Sequence, residues 1–221
     1  MSHPIKRAVV FANGELNEPE SMLRLVRPDD YLIAADGGGK HCLALGLQPH
    51  LLIGDMDSLD PDIITQFQAA GSEVLRYPAN KDFTDLELAL LQAKERGAEE
   101  ILVVAALGRR WDQTLANLLL PAGQTFKDVS IRLVDGCQEI LLVRPGKRCE
   151  IHGQPGETLS LVPLLDNACG ITTQGLEYPL KDEDLSFGST RGISNVLLVE
   201  KPTITLREGL LVCVLIHGSL D

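Results

Sequence analysis

Leu51-Leu52-Ile53-Gly54-Asp55-Met56-Asp57-Ser58 reads as a buried strand that delivers acidic side chains to the end of a sheet. Three apolar residues run into a glycine, and a short apolar run closed by a breaker marks a strand reaching its end. If the chain stays extended past Gly54, Asp55 and Asp57 project to the same side, because strand side chains alternate. Two neighbouring anions repel each other unless a cation lies between them. Carboxylate oxygens with few other ligands suit Mg2+, which keeps waters and shares its shell with substrate phosphates. An isolated Asp-x-Asp is more often a solvated turn, so the assignment depends on what accompanies it.

Outward from this stretch, strands and helices alternate. Residues 6–12 (KRAVVFA), 31–35 (YLIAA), 73–77, 101–107 (ILVVAAL) and 129–134 read as strands, and 19–26, 40–45, 61–70, 82–96 and 111–120 as helices. The 82–96 segment has the clearest apolar stripe (Leu86, Ala89, Leu90, Ala93), with Asp82 as its cap, Asp85 near its positive end and Gly97 as its stop. Such alternation predicts a sheet with helices on both faces. After Asp135-Gly136 the pattern changes to short apolar or alternating runs at 139–143, 148–151, 158–163, 170–173, 196–199, 203–207 and 210–216, divided by Pro/Gly turns. The expected architecture is therefore an α/β domain over residues 1–136 with a mostly parallel six-stranded sheet, then an all-β antiparallel sandwich over 137–221.

Composition narrows the function classes. The 221 residues are 44% hydrophobic, as expected for a folded globular chain. A net charge of −11 with no Lys/Arg run argues against nucleic acid as a partner. Five scattered cysteines without a C-x-x-C read as reduced thiols of a cytoplasmic protein, and no apolar run is long enough to span a membrane. The five histidines show no ligand spacing that would point to zinc.

In an open parallel sheet, ligands bind beyond the carboxyl ends of the strands. The second strand there delivers Asp36 and Gly37-Gly38-Gly39, and the third delivers Asp55, Asp57 and Ser58. The fourth is followed by Lys81, Asp82, Thr84 and Asp85, and the fifth by Gly108, Arg109, Arg110 and Asp112. Carboxylates at four successive strand ends, two of them accompanied by Lys or Arg, suit a metal together with phosphates. The glycines admit two readings, a tight turn into a helix or backbone approach to a phosphate. Trp111 is expected in the core. In the second domain, Tyr178 could stack on an aromatic ligand, and Ser194-Asn195 could read a polar ring edge; all three are equally at home as turn residues.

Six motifs, in register along nearly the whole chain, carry a resemblance. They are Ala35-Asp36-Gly37-Gly38, Ile53-Gly54-Asp55-Met56-Asp57-Ser58, Asp82-Phe83-Thr84-Asp85 with Glu87-Leu88-Ala89-Leu90, Gly108 with Arg110-Trp111-Asp112-Gln113, Thr172-Thr173-Gln174-Gly175-Leu176, and Ser194-Asn195. Together they resemble the thiamine pyrophosphokinase (thiamine diphosphokinase) family. The resemblance implies transfer of the pyrophosphoryl group of ATP to thiamine, releasing AMP, by a homodimer with thiamine held near the subunit interface. It implies Mg2+ on Asp55, Asp57, Asp82 and Asp85, with Arg110 and Asp112 also in the catalytic set. ATP falls to Asp36, Gly37, Gly38, Ser58, Lys81 and Thr84, and thiamine to Tyr178, Ser194 and Asn195. The general base stays open between Asp85 and Asp112. The chain departs from the family pattern at Gly108-Arg109, where members often have two glycines before the arginine. It departs again at Tyr178, often Trp, and at Gly192, often Ser. A pyrophosphokinase for another alcohol, such as a hydroxymethylpterin, and a non-catalytic thiamine- or nucleotide-binding protein are the competing readings. The acidic residues weigh against the second of these and Ser194-Asn195 against the first.

Overall fold

The computed structural model describes residues 5–108 and 110–218, so Arg109 lies outside the described residues. The chain divides into two compact units, Met1–Gly136 and Cys137–Asp221.

In the first unit, strands β1 (Arg7–Phe11), β2 (Tyr31–Ala35), β3 (Leu51–Gly54), β4 (Glu73–Arg76), β5 (Glu100–Val104) and β6 (Ser130–Asp135) lie in the order β6-β5-β1-β2-β3-β4. Every neighbouring pair among them is parallel. The central strands are buried on both faces, which explains why RAVVF, YLIAA and LLIG are apolar almost throughout. Helices α1 (Pro19–Leu25), α2 (Gly38–Ala44) and α3 (Pro61–Ala69) cover one face. There Met22, Cys42, Ile64 and Phe67 pack with Val9, Phe11, Leu32, Ala34 and Leu52. Helix α4 (Asp85–Glu95) lies against β1, β2 and β3, burying Leu86, Ala89, Leu90 and Ala93. Successive strand residues thus serve opposite faces, as the period of two requires.

Several expectations are corrected. The chain does not stay extended past Gly54, because Met56 takes φ 66° and turns its side chain into the core, where it is 6% exposed. Helix α4 is capped by Thr84, whose hydroxyl accepts from the Glu87 N–H, and not by Asp82. The helix therefore begins at Asp85, leaving Asp82 exposed in the preceding loop. Helix α5 (Trp111–Leu119) buries none of its residues, and Trp111, expected in the core, is 79% exposed. The glycines after Asp36 answer to packing. A Cβ on Gly38 would lie 2.0 Å from the Phe11 carbonyl oxygen, and one on Gly37 would lie 2.1 Å from Asn13 Oδ1.

The second unit is β-rich. Strands β7 (Gln138–Val143), β9 (Thr158–Pro163), β12 (Asn195–Val196) and β14 (Leu211–Ile216) form an antiparallel set in the order β12-β9-β14-β7. Strands β8 (Cys149–Glu150), β10 (Ala168–Gln174), β11 (Lys181–Leu185) and β13 (Thr203–Thr205) form a second sheet, β11-β10-β13-β8. Val143, Leu159, Leu161, Ile171, Leu185, Ile204, Leu211 and Cys213 from both sheets share one core. Strand β11 escaped the sequence reading because KDEDL is charged, as suits a sheet edge that must not recruit further strands.

Candidate active site

The strand order of the first unit reverses at β1: the chain runs from β1 through β4 on one side and then crosses to β5 on the other. In such sheets the crevice beyond the carboxyl ends at this switch point is the binding position. A cavity of about 510 Å3 opens there, lined by Asn13 and Gly14 after β1, Asp36 after β2, Asp55, Asp57 and Ser58 after β3, Thr84 and Asp85 at the start of α4, and Gly108 after β5. Arg110, Gln113 and Asn117 line it from the start and inner side of α5.

Backbone strain accompanies the strand ends. Asp36, Met56 and Ala105 have φ of 45°, 66° and 55°, a left-handed conformation that costs a non-glycine residue roughly 1 kcal/mol or more. At Met56 the reversal presents Asp55 and Asp57 to the cavity while the methionine side chain returns to the core.

Three carboxylates converge. One oxygen each from Asp36, Asp55 and Asp85 lies within 4.8 Å of the others. Asp36 is buried; Asn13 Nδ2 donates to its Oδ2 at 3.3 Å, and the Ser58 N–H donates to its Oδ1 at 3.3 Å. Asp55 Oδ1 accepts the Asp57 N–H at 3.2 Å, closing a tight turn over Met56. Asp85 Oδ1 is buried and makes no directed hydrogen bond; the Lys81 ammonium lies 3.0 Å away, within ion-pair distance. Burial pushes the Asp85 carboxyl above its ordinary value; Lys81 opposes the shift, and Asp55 and Asp36 add to it. Hard oxygen donors and mutual repulsion among three converging carboxylates fit a divalent cation such as Mg2+.

The remaining expected residues are distributed unevenly. Asp57 lines the cavity but is exposed and accepts from Ser58 Oγ at 2.9 Å, outside the three-carboxylate cluster. Asp82 is exposed and does not line the cavity, and neither do Gly37 and Gly38. Arg110 and Asp112 form an exposed two-pronged pair, with Arg110 Nε 3.1 Å from Asp112 Oδ1. That pairing holds the Asp112 carboxyl below its usual range, which makes it a weak proton acceptor at neutral pH.

Asn13 and Asn117 went unnoticed in the sequence. Asn13 is the polar residue following β1, and extending the strand-end census to the first strand would have found it. Asn117, which donates to the Ala106 carbonyl at 2.6 Å, offers a weaker signal: it stands four residues beyond Gln113 on the same helical face.

In the second unit, Leu161, Glu177, Tyr178, Pro179, Leu180, Arg191, Gly192, Ile193 and Asn195 line a cavity of about 370 Å3. Asn195 does not extend its carboxamide freely. Its Oδ1 accepts from the Tyr178 N–H at 3.0 Å and its Nδ2 donates to the Tyr178 carbonyl at 2.7 Å. Ser194 is exposed, with φ 60°, and its N–H donates to Ser160 Oγ at 3.0 Å. Gly192 has a steric reason: a Cβ there would lie 2.2 Å from the Leu161 carbonyl oxygen.

Comparison with known proteins agrees with these two units. Residues 22–133 match the family model described as thiamin pyrophosphokinase, catalytic domain, and residues 148–211 match thiamin pyrophosphokinase, vitamin B1 binding domain. A thiamine pyrophosphokinase of Bacillus subtilis is 30% identical over 210 residues, covering 95% of this chain and 98% of that protein. Thiamine pyrophosphokinase 1 of rice is 29% identical over 170 residues, covering 72% of this chain and 62% of its own length. The crystal structure of the Bacillus subtilis thiamine pyrophosphokinase superposes with a TM-score of 0.85 at 26% identity, covering 97% of this chain and all of that one. Matched along both of its units, the chain belongs to the thiamine pyrophosphokinase family.

Proposed function

We infer that the protein transfers the pyrophosphoryl group of ATP to the hydroxyl of thiamine, giving thiamine diphosphate and AMP. Family membership along both units supports this activity. The observation that carries it to particular residues is the convergence of Asp36, Asp55 and Asp85 in a switch-point cavity large enough for a nucleotide's phosphates. On this reading the first unit, with its six parallel strands, is the catalytic domain, and the second, a β-sandwich, binds thiamine.

The hydroxyl oxygen of thiamine attacks the β-phosphorus of ATP, and the bond from that phosphorus to the oxygen bridging the α-phosphate breaks. AMP leaves with the bridging oxygen, and the hydroxyl proton is released. Such transfer depends on alignment and charge stabilisation more than on covalent participation by the protein. Asp36, Asp55 and Asp85 would hold Mg2+, with Asp57 at the cavity rim; the ion supplies charge neutralisation on the phosphate oxygens. Lys81 and Arg110 offset phosphate charge as well, Arg110 by turning from Asp112 toward the cavity. Ser58, Thr84 and Asn13 orient oxygens at its wall. In the second unit, Tyr178 offers an aromatic face to the thiazolium cation, and Ser194, exposed in the loop before Asn195, offers a hydroxyl. Arg191 is ion-paired with Glu183, so the carboxylate of Glu177 sets the sign of the cavity lining.

A cytoplasmic homodimer completes the reading. Trp111, Leu115 and Leu119 recur every four residues along α5 and are all exposed, an apolar stripe suited to a second copy of the chain. All five cysteines are free thiols, and among the described residues no helix is long and apolar enough to cross a membrane. Incubation with ATP, Mg2+ and thiamine should yield AMP and thiamine diphosphate in equal amounts. ADP with thiamine monophosphate would overturn the assignment. Light scattering should return twice the chain mass.

A further inference from the structure

We propose that Asn195 is a positioning residue whose carboxamide replaces a missing peptide unit and fixes Tyr178 in the wall of the second unit's cavity. Its consequence for substrate rests on the thiamine reading above; the contact itself does not.

Strand β12 is two residues long, yet the chain after it runs alongside residues 175–177. The Glu177 N–H donates to the Val196 carbonyl at 3.0 Å, the Leu198 N–H donates to the Gly175 carbonyl at 2.9 Å, and Leu176 bridges Leu197. A regular antiparallel ladder would next aim the Val196 N–H at the Glu177 carbonyl and then pair residue 179 with residue 194. Residues 192–194 do not continue it. The Gly192 carbonyl accepts from the Leu161 N–H at 2.8 Å, the Ser194 N–H is committed to Ser160 Oγ at 3.0 Å, and Ser194 turns the chain at φ 60°.

The Asn195 side chain fills the gap. Oδ1 accepts from Tyr178 N–H at 3.0 Å and from Val196 N–H at 2.9 Å, while Nδ2 donates to the Tyr178 carbonyl at 2.7 Å. Two N–H groups facing one atom fix which end of the amide is oxygen. Only a carboxamide of this length can satisfy both groups of one peptide. Aspartate lacks the donor, serine is too short, and glutamine overreaches by a methylene. Tyr178 is 63% exposed, so packing does little to hold it. Its place at the cavity wall beside Glu177 depends on this clamp. With both lone pairs of Oδ1 taken by backbone N–H groups, the carboxamide has no acceptor left for a ligand's amine.

The test compares Asn195→Ala and Asn195→Asp with the parent, each checked for an intact thermal transition; the aspartate keeps the volume and shape of the side chain. Hydrogen exchange of the Tyr178 amide is followed by NMR in the ligand-free protein. The dissociation constants of thiamine and of an analogue with a carbonyl oxygen in place of the exocyclic pyrimidine amine are measured by calorimetry. The clamp predicts exchange at Tyr178 roughly tenfold or more faster in Asn195→Ala, whereas Asn195→Asp keeps an acceptor for that N–H and loses only the donor to the Tyr178 carbonyl. It also predicts weaker binding of both compounds by the same factor, a raised thiamine KM, and unchanged kcat and ATP KM. Unchanged exchange at Tyr178 in Asn195→Ala overturns the clamp. A loss for thiamine that the carbonyl analogue does not share overturns the positioning role in favour of direct edge recognition. A parent protein that binds neither compound overturns the thiamine reading, and the exchange rates then still decide the clamp.

Discussion

Lys81 Nζ lies 3.0 Å from Asp85 Oδ1 and 3.9 Å from Asp55 Oδ2, so a tethered ammonium serves as counter-ion to two of the three clustered carboxylates. Lys81 stands four residues before Asp85, in the loop leading into α4, and its side chain is only 11% exposed, drawn down toward the cluster. Without a metal, this contact is the chief offset to the mutual repulsion of the acidic groups.

Replacing Lys81 with Met should therefore destabilise the metal-free protein by about 1–3 kcal/mol, less than a fully buried pair because both carboxylates keep some solvent. Urea unfolding in the presence of EDTA measures the loss. Adding millimolar Mg2+ should narrow it, since the ion takes over the same neutralisation. An equal loss with and without Mg2+ would show that Lys81 acts only through packing.

A pH dependence follows from the end of β14. His217 lies between Glu157, whose oxygens are 3.1 and 3.2 Å from Nδ1, and Glu139, 3.8 Å from Nε2. The Glu139 carboxylate and, against the opposing effect of burial, the charge of Glu157 raise the imidazole above its ordinary value of 6.5. A group whose folded pKa is raised binds its proton more tightly in the native state. Its stabilisation is fully present below the unfolded value and is lost as pH rises through the folded one. The melting temperature of the parent should fall relative to His217→Gln, which has no charge to lose, as pH rises above the ordinary imidazole value of about 6.5. Parallel curves for the two proteins would exclude the histidine as the cause.

The first unit was the more legible in the sequence because parallel strands covered on both faces read as unbroken apolar runs, and 31–35 and 51–54 were legible for that reason. What stayed hidden was set by backbone reversals. Nothing in Gly54-Asp55-Met56-Asp57 announces a left-handed methionine, so the sequence groups Asp57 with Asp55, while Asp36, assigned there to ATP with the glycines after it, is the residue that joins the cluster. Thr84 and Asp82 are both good caps by composition, and only the helix's starting phase chooses between them. Asn195 looked like a ligand reader because its carboxamide chemistry is the same whether it faces a ring edge or a peptide. A charged edge strand such as 181–185 carries no apolar signal to find.

Gly192 offers a direct test of a family departure. Restoring serine would place Cβ 2.2 Å from the Leu161 carbonyl oxygen, a backbone atom of β9 that cannot swing aside. Gly192→Ser should cost about 1–3 kcal/mol of stability, the range for overpacking, and should raise the thiamine KM. A variant as stable as the parent, with improved thiamine affinity, would mean that the loop relaxes freely and that the hydroxyl is useful here.

The final prediction separates the acidic residues by geometry, because chemistry alone makes them equivalent. Asp36, Asp55 and Asp85 bring oxygens within 4.8 Å of one another, whereas Asp57 stands at the cavity rim on Ser58 Oγ and Asp82 faces solvent outside the cavity. Changing Asp to Asn keeps volume and removes charge. At each of the three cluster positions, turnover should fall by roughly a hundredfold or more, and Mg2+ binding to the nucleotide-free protein, read by calorimetry, should weaken with it. Asp57→Asn should lower turnover while leaving that metal affinity near the parent value, because its carboxylate reaches the site only when phosphates fill the cavity. Asp82→Asn should change neither by more than about twofold, since exposed substitutions away from a site fall within about 0.5 kcal/mol. Loss of metal binding in the Asp82 variant, with Asp36→Asn unaffected, would reverse the assignment and return the site to the set of acids that the sequence alone suggests.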